Sequence, residues 1–564
     1  MKRTTILLTT CALLLACVPA LVRAEVDVAA ILRQASLLQQ RGACQEGADL
    51  CTQALAEKPD DPDLLAARGK AYNLLQDYAK AQADFDQALK LKPDLLLAYY
   101  GRGVAYQGQG QADQAKADWQ QVVDKATKAL EAEPRDGAAY EARAVARDAL
   151  GQTDAAIDDY GRALYWQPNN AALFSRRAWL FAAKGQTDFA LADFTRALQL
   201  NPQLLDAYQG RAALYARTGK DWDKAIADYS RILALTPNDA ATYDARGLAY
   251  LAQVDLPKAI EDFSKAVALD PKLAAAWYSR ANAYRAQGEF DKAIADYSQV
   301  MALVPNDPNA YLDRGKVYQL IKGDMNQAVA DYTAAMKADP KCLEAYLARA
   351  AVYRLSKRPD LALPDLDAAL ALDPKCVPAY MDKGWSHLDL RQPDEALADF
   401  AAAAQVNPQE PNAYNGRGYA YMAKGDFANA LREFETAVRT DPNFAPGYYN
   451  LGFVASLVKD YATAVKDYSM VLQLNPNDAS AYVGRGMCYS ATEAFDQAIA
   501  DYTKALEIGP PSAIAYLNRG YAYMTKEQWA EARADWEQAA ALDPRGVAGQ
   551  KAQQNLAALA QLGH

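Results

Sequence analysis

A 34-residue pattern recurs fifteen times between Val28 and Pro544, and this recurrence constrains the fold more tightly than any other feature of the 564-residue chain. A single hydrophobic core rarely grows to that size, so the length is reached by adding one unit to the next. The stretch Ala479 to Ser512 is a clean copy: Tyr482, Arg485-Gly486, Tyr489, Phe495, Ala498, Asp501-Tyr502, Ala505-Leu506 and Pro510. Tyr516, Arg519-Gly520, Tyr523, Trp529, Ala532, Asp535-Trp536, Ala539 and Pro544 repeat it in phase. Tyr482, Gly486 and Tyr489 fall at i, i+4 and i+7, one face of a first helix, and Ala498, Tyr502 and Ala505 do the same on a second. The spacing predicts a helical hairpin with a short turn near Ala491 to Glu493, and Pro510 ends the second helix. Neither hairpin face can be buried alone, so each copy completes its core on the next.

This order of aromatic, small, aromatic, Ala, aromatic, Ala and Pro resembles the tetratricopeptide repeat (TPR). The resemblance implies an all-α, right-handed superhelical solenoid of about fifteen helix-turn-helix repeats with a C-terminal capping helix. It also implies a concave groove lined by the first helices, the usual surface for protein or peptide partners, and no catalytic site or cofactor. The expected organisation is a signal peptide over 1–24, a degenerate capping repeat over 25–61, fourteen repeats over 62–544 and a capping helix over 545–564. The first copy, Val28 to Asp61, reads as a cap because it has no aromatic at its core places and puts Ile31, Leu38, Cys44, Gly47 and Cys51 there instead. Seven extra residues near Gln120 to Thr127 are close to two helical turns, so they can lengthen a helix without rotating its buried face. Single extra residues near Lys220 and Gly323 are expected in hairpin turns, and Pro364 is expected to kink a second helix.

Lys2 and Arg3 precede an apolar stretch, and Val22-Arg23-Ala24 carries small residues at cleavage-type positions. That pattern predicts a secretory signal and a periplasmic or secreted chain. The competing reading takes Leu14-Leu15-Ala16-Cys17 as a lipobox and Cys17 as a lipid anchor. No later apolar run reaches the ~20 residues a membrane span needs. Removing residues 1–24 takes the formal charge from −10 to −13. With no basic stripe, the surface repels phosphate backbones, so nucleic acid is not an expected partner. The only histidines are His387 and His564, too few for a histidine triad or a His-rich metal site, and His387 occupies the place of a core tyrosine. Cys44 and Cys51 are either a disulfide or two buried thiols; seven residues of unbroken helix would hold them ~10.5 Å apart, beyond bonding reach.

Arginine recurs at the place of Arg485 in twelve copies, and Asp at the place of Asp501 in thirteen, with Glu433 in a fourteenth. The pattern predicts a structural Arg–Asp contact in each hairpin. The tyrosines at the places of Tyr482, Tyr489 and Tyr502 account for 27 of the 35 and are expected in the core. One residue off that face lie the candidate groove residues. In copies eleven to fifteen they are large and apolar: Met381, Trp385, Leu388, Tyr419, Met422, Tyr449, Phe453, Val483, Met487, Leu517, Tyr521 and Met524. Earlier copies are mixed, with Lys70, Glu141, Asp148, Trp179, Asp244, Asn282 and Arg285. The alternatives for the apolar set are a hydrophobic segment of a protein partner or cover by the tight superhelix itself or its capping helix. The expected role is a non-catalytic interaction scaffold of the cell envelope or secreted space; the alternative is a Cys17-anchored assembly factor for secretion or polysaccharide-export machinery.

Overall fold

The computed structural model describes residues 27–40 and 43–561; the signal-peptide and Cys17 readings, and His564, lie outside them. The described residues contain helices and no strand. Two compact units are present, one ending at Asp270 and the other beginning at Pro271, although the 34-residue pattern keeps its phase through that point. Each copy is a pair of antiparallel-type neighbours, as in Ala479–Ala491 followed by Phe495–Ile508.

Local chemistry sets the boundaries. Asp61 caps Pro62–Leu74 by accepting from the Asp63 and Leu64 amides, and Asp478 accepts from the Ala481 amide. Between paired helices the chain reverses through one residue of positive φ, such as Gly425 (75°) or Glu493 (62°), and the Ala494 amide then bonds the Tyr489 carbonyl at 2.9 Å. Glycine at the place of Gly418 serves a different need. A Cβ there would lie 2.4 Å from Cε1 of Phe434, so only glycine lets the first helix close on the aromatic of the second.

The insertions are absorbed in three ways. The second helix of copy three, Ala112–Ala132, has 21 residues where its counterparts have 14, and still buries Trp119, Val122, Ala126 and Leu130 along one face. The extra residue near Lys220 sits in the turn after the left-handed Gly219, as expected. The one near Gly323 does not. It is taken up before the turn by a π-helical segment, Tyr318–Lys322, so the Asp324 amide reaches back six residues to the Tyr318 carbonyl. The second helix of copy ten, Pro359–Leu372, continues through Pro364. Cys44–Glu57 is one helix, and both its cysteines are free thiols; burial pushes Cys51 up to about 11.

The arginine–carboxylate contacts form in all twelve copies that carry the arginine. Arg485 is typical. Its Nε and Nη2 donate to the two oxygens of Asp501, both at 2.8 Å, and its Nη1 donates to Ser469 of the preceding copy at 3.0 Å. One guanidinium therefore joins two helices of its own copy and a third of its neighbour. Tyr482 and Tyr489, expected in the core, are half-buried and flank this arginine, with ring centroids 5.5 and 5.9 Å from its Cζ. The reason is spacing: they lie three before and four after it on the same helix. The tyrosines at the place of Tyr502 are fully in the core, and at the place of Tyr482 Tyr140 joins them.

Two copies depart from the ladder. In copy eleven Lys383 replaces the arginine and cannot engage both oxygens, and Nδ1 of His387 stands 2.6 Å from Oδ2 of Asp399. His387 thus completes a rung in addition to packing in a tyrosine's place. In copy thirteen Leu451 replaces the arginine. Asp467 is left 8% exposed, and burial, with Glu435 nearby, pushes its carboxyl up to about 6.

Candidate partner-binding groove

The first helices of copies thirteen to fifteen, Ala445–Leu457, Ala479–Ala491 and Ala513–Thr525, place their outward-offset side chains around two adjoining cavities. The larger, about 770 Å³, brings together Tyr449, Phe453, Val483 and Met487. The smaller, about 330 Å³, shares Met487 and reaches Tyr521. No charged side chain lines either one. Phe453 is 38% and Met487 49% exposed, large apolar area left open to solvent. Tyr449 is fixed edge-on to the buried Tyr468 at 5.5 Å, so this wall of the cavity is a positioned ring.

The other sequence candidates lie outside these cavities. Met381, Trp385 and Leu388 pack on Ala396, Phe400 and Ala420, and Trp385 stands 5.5 Å from Tyr419 in an edge-to-face pair. Tyr419 remains 37% exposed while its hydroxyl donates to Asn450 at 3.0 Å. Met422 packs into the cluster around Phe434. Leu517 and Met524 pack with Trp536 and Leu556, and Tyr521 donates to Asn555 at 3.1 Å. Leu556 and Asn555 belong to the final helix, Val547–Gln561, so cover by that helix accounts for part of the apolar set in copy fifteen.

Sequence reasoning missed what opens the larger cavity. Elsewhere the turn after a second helix is closed by a bond such as the Asp478 amide to the Asn475 carbonyl at 3.2 Å. After Ile508 the chain reads Gly509-Pro510-Pro511-Ser512: Gly509 is extended at ψ 176° where Asn475 stands at 91°, and Pro511 takes the place of Asn477, whose amide donates to Asn475 Oδ1. Pro510, Pro511 and the half-exposed Ile514 become cavity wall. The doubled proline was the available signal. Cys488 also lines the cavity, but burial pushes its thiol up to about 11, which keeps it protonated and unreactive at neutral pH. Among the described residues no group of three or more His, Cys, Asp or Glu is placed to hold a metal ion, and no helix is long and apolar enough to cross a membrane.

A helical hairpin repeated in phase and tied by arginine rungs defines a repeat scaffold of the interaction type. The chain belongs to the tetratricopeptide-repeat family. Profiles described as TPR repeat match residues 69–110 and 281–321, and profiles described as tetratricopeptide repeat match 97–128, 138–170, 263–295, 320–375, 381–443, 445–478, 479–510 and 513–545. No curated protein matches the chain in sequence. Solved structures similar to it include Cut9 bound to Hcn1 in an APC/C hetero-tetramer, at 16% identity over 89% of this chain and 98% of that one, with a TM-score of 0.37. Yeast Tom70 is similar at 19% identity over 76% and 96%, TM-score 0.38. YrrB, described as a TPR protein with an unusual peptide-binding site, is similar at 25% identity over 34% and 97%, TM-score 0.30.

Proposed function

We propose that the chain is a non-catalytic protein-interaction scaffold that binds an apolar or amphipathic segment of a partner polypeptide in the groove of copies thirteen to fifteen. The observation that carries this reading is the pair of adjoining, uncharged cavities joined at Met487. Burying the open faces of Phe453 and Met487 supplies the driving force, at roughly 25 cal/mol per Å² of apolar area, and the serine and tyrosine hydroxyls around them fix orientation. Tyr521 is a poorer site for a test than its place in the pattern suggests, because its hydroxyl also holds the final helix. Met487→Glu with Phe453→Glu is the cleaner pair. Crosslinking and mass spectrometry on native cell envelopes should show partners lost from that double variant; an unchanged partner list would remove the groove as the binding site.

The location proposed for this activity is the cell envelope or secreted space, supported by the charged start, apolar stretch and Val22-Arg23-Ala24 end of residues 1–24. The second reading, a Cys17-anchored factor that recruits secretion or polysaccharide-export machinery, is supported by the Leu14-Leu15-Ala16-Cys17 sequence. The mass of the mature N-terminal peptide separates the two: a start at Glu25 supports the first, a lipidated Cys17 the second.

A further inference from the structure

The first helices of copies two to five enclose a concave pocket of about 470 Å³ that differs in chemistry from the groove near the other end of the sequence. Its polar lining is Lys70 and Asn73 from Pro62–Leu74, Tyr100 from Leu96–Gly108, Glu141 from Gly137–Ala149 and Arg176 from Ala171–Ala183. Aliphatic side chains, Val104 and Val145 among them, fill the walls between these groups.

The charges here are arranged unlike those of the ladder. There every arginine meets a carboxylate at hydrogen-bonding distance. Here the phenol of Tyr160 is a neighbour of Arg176, and among the described residues no carboxylate comes within ion-pair reach of it or of Lys70; Glu141 and Asp148 act on Arg176 only from longer range. Both cations keep contact with solvent, yet the concave walls desolvate them. Burial, then repulsion from Arg176, lowers Lys70, and burial raises Glu141 against the partial relief that Arg176 gives. Asn73 adds a directional group. Its Nδ2 donates to the Gly101 carbonyl at 2.7 Å, while its Oδ1 is buried with no partner. Unpaired groups of this kind cost free energy until something binds them.

We propose that this pocket binds a free α-amino acid with an apolar side chain. The carboxylate sits between Lys70 and Arg176. The ammonium group donates to Glu141, and the side chain lies against the aliphatic walls. The volume falls in the range of small-molecule sites. Two cations and one carboxylate in the lining favour a zwitterion over a phosphate, which would face Glu141, and over a hydrocarbon, which would leave Lys70, Arg176 and Glu141 unpaired. This site is independent of the groove reading, and each can fail without the other.

The test is calorimetric titration of the full chain with L-leucine, N-acetyl-L-leucine, L-leucinamide and a peptide ending in leucine. Leucine should bind saturably, with either blocked form and the peptide at least tenfold weaker. Lys70→Met and Arg176→Leu, neither of them a ladder residue, should abolish leucine binding without lowering the ligand-free thermal midpoint or altering the circular dichroism. Glu141→Gln should weaken leucine and spare N-acetyl-leucine. No saturable binding of leucine or phenylalanine at millimolar concentration overturns the proposal. So does N-acetyl-leucine or the peptide binding as tightly as leucine, which would make this a chain-end site.

Discussion

Copies thirteen and fourteen share a fold but not a rung. In copy fourteen Arg485 ties Asp501 to its own first helix and to Ser469 behind it; in copy thirteen Leu451 stands in the arginine's place and Asp467 is buried without that guanidinium. The helices around Asp467 are as regular as those around Asp501, with 13 and 14 residues in each pair. The rung therefore does not decide whether a hairpin forms. Apolar packing and glycine-mediated close approach do that, and the rung sets how strongly neighbouring copies hold their register and how that hold depends on pH.

The largest expected effect comes from breaking the intact side. Arg485→Ala leaves the Asp501 carboxylate buried and alone, a loss of about 4 kcal/mol, read as a lower urea midpoint for hydrogen exchange in copy fourteen of the full chain. The exchange variant Arg485→Asp with Asp501→Arg should recover part of it, and no recovery would refute the pairing. Next is Asp467→Asn. A carboxyl raised from 3.8 to about 6 in the folded state contributes nothing adverse below the lower value. Its destabilisation grows as pH rises through the window between the two and is complete above the upper one, at about 3 kcal/mol. The variant should match the parent near pH 4 and exceed it by that amount at pH 7.5; equal midpoints at both values would show Asp467 already paired. Leu451→Arg should erase the same pH slope with a smaller gain at pH 7.5, because the lost leucine burial offsets about 2 kcal/mol of it. The smallest effect is that of Ser469→Ala, which removes only the third arm of Arg485 and should cost about 1 kcal/mol.

The ladder and the hairpins were legible because each rests on spacing along one helix pair, repeated until chance is excluded. Met487, Tyr449, Phe453 and Tyr521 were legible for a related reason, since one step around a helix from a known buried face is a known direction. The place of Tyr482 beside the core was legible, but the partner it shares with Tyr489 was not. Periodicity places them beside the core but does not say that a guanidinium will lie between them. The cover over Tyr521 depends on how the last helix docks, and the pocket of Lys70 and Arg176 depends on curvature accumulated over four copies. Neither quantity is written in a 34-residue pattern. The π-helical segment is a similar case: an extra residue was visible, but its place in the helix rather than the turn was not.

The three ways in which extra residues are accommodated say something about how such a chain can change length. Seven residues added to a helix turn it by nearly two whole revolutions, one residue can hide in a widened coil or beside a left-handed glycine, and the rungs downstream still meet. Two residues added inside a helix would swing every later side chain by about 200°, and no rung would close. The arginine ladder thus acts as a reading frame written in space, in which only certain insertions are silent.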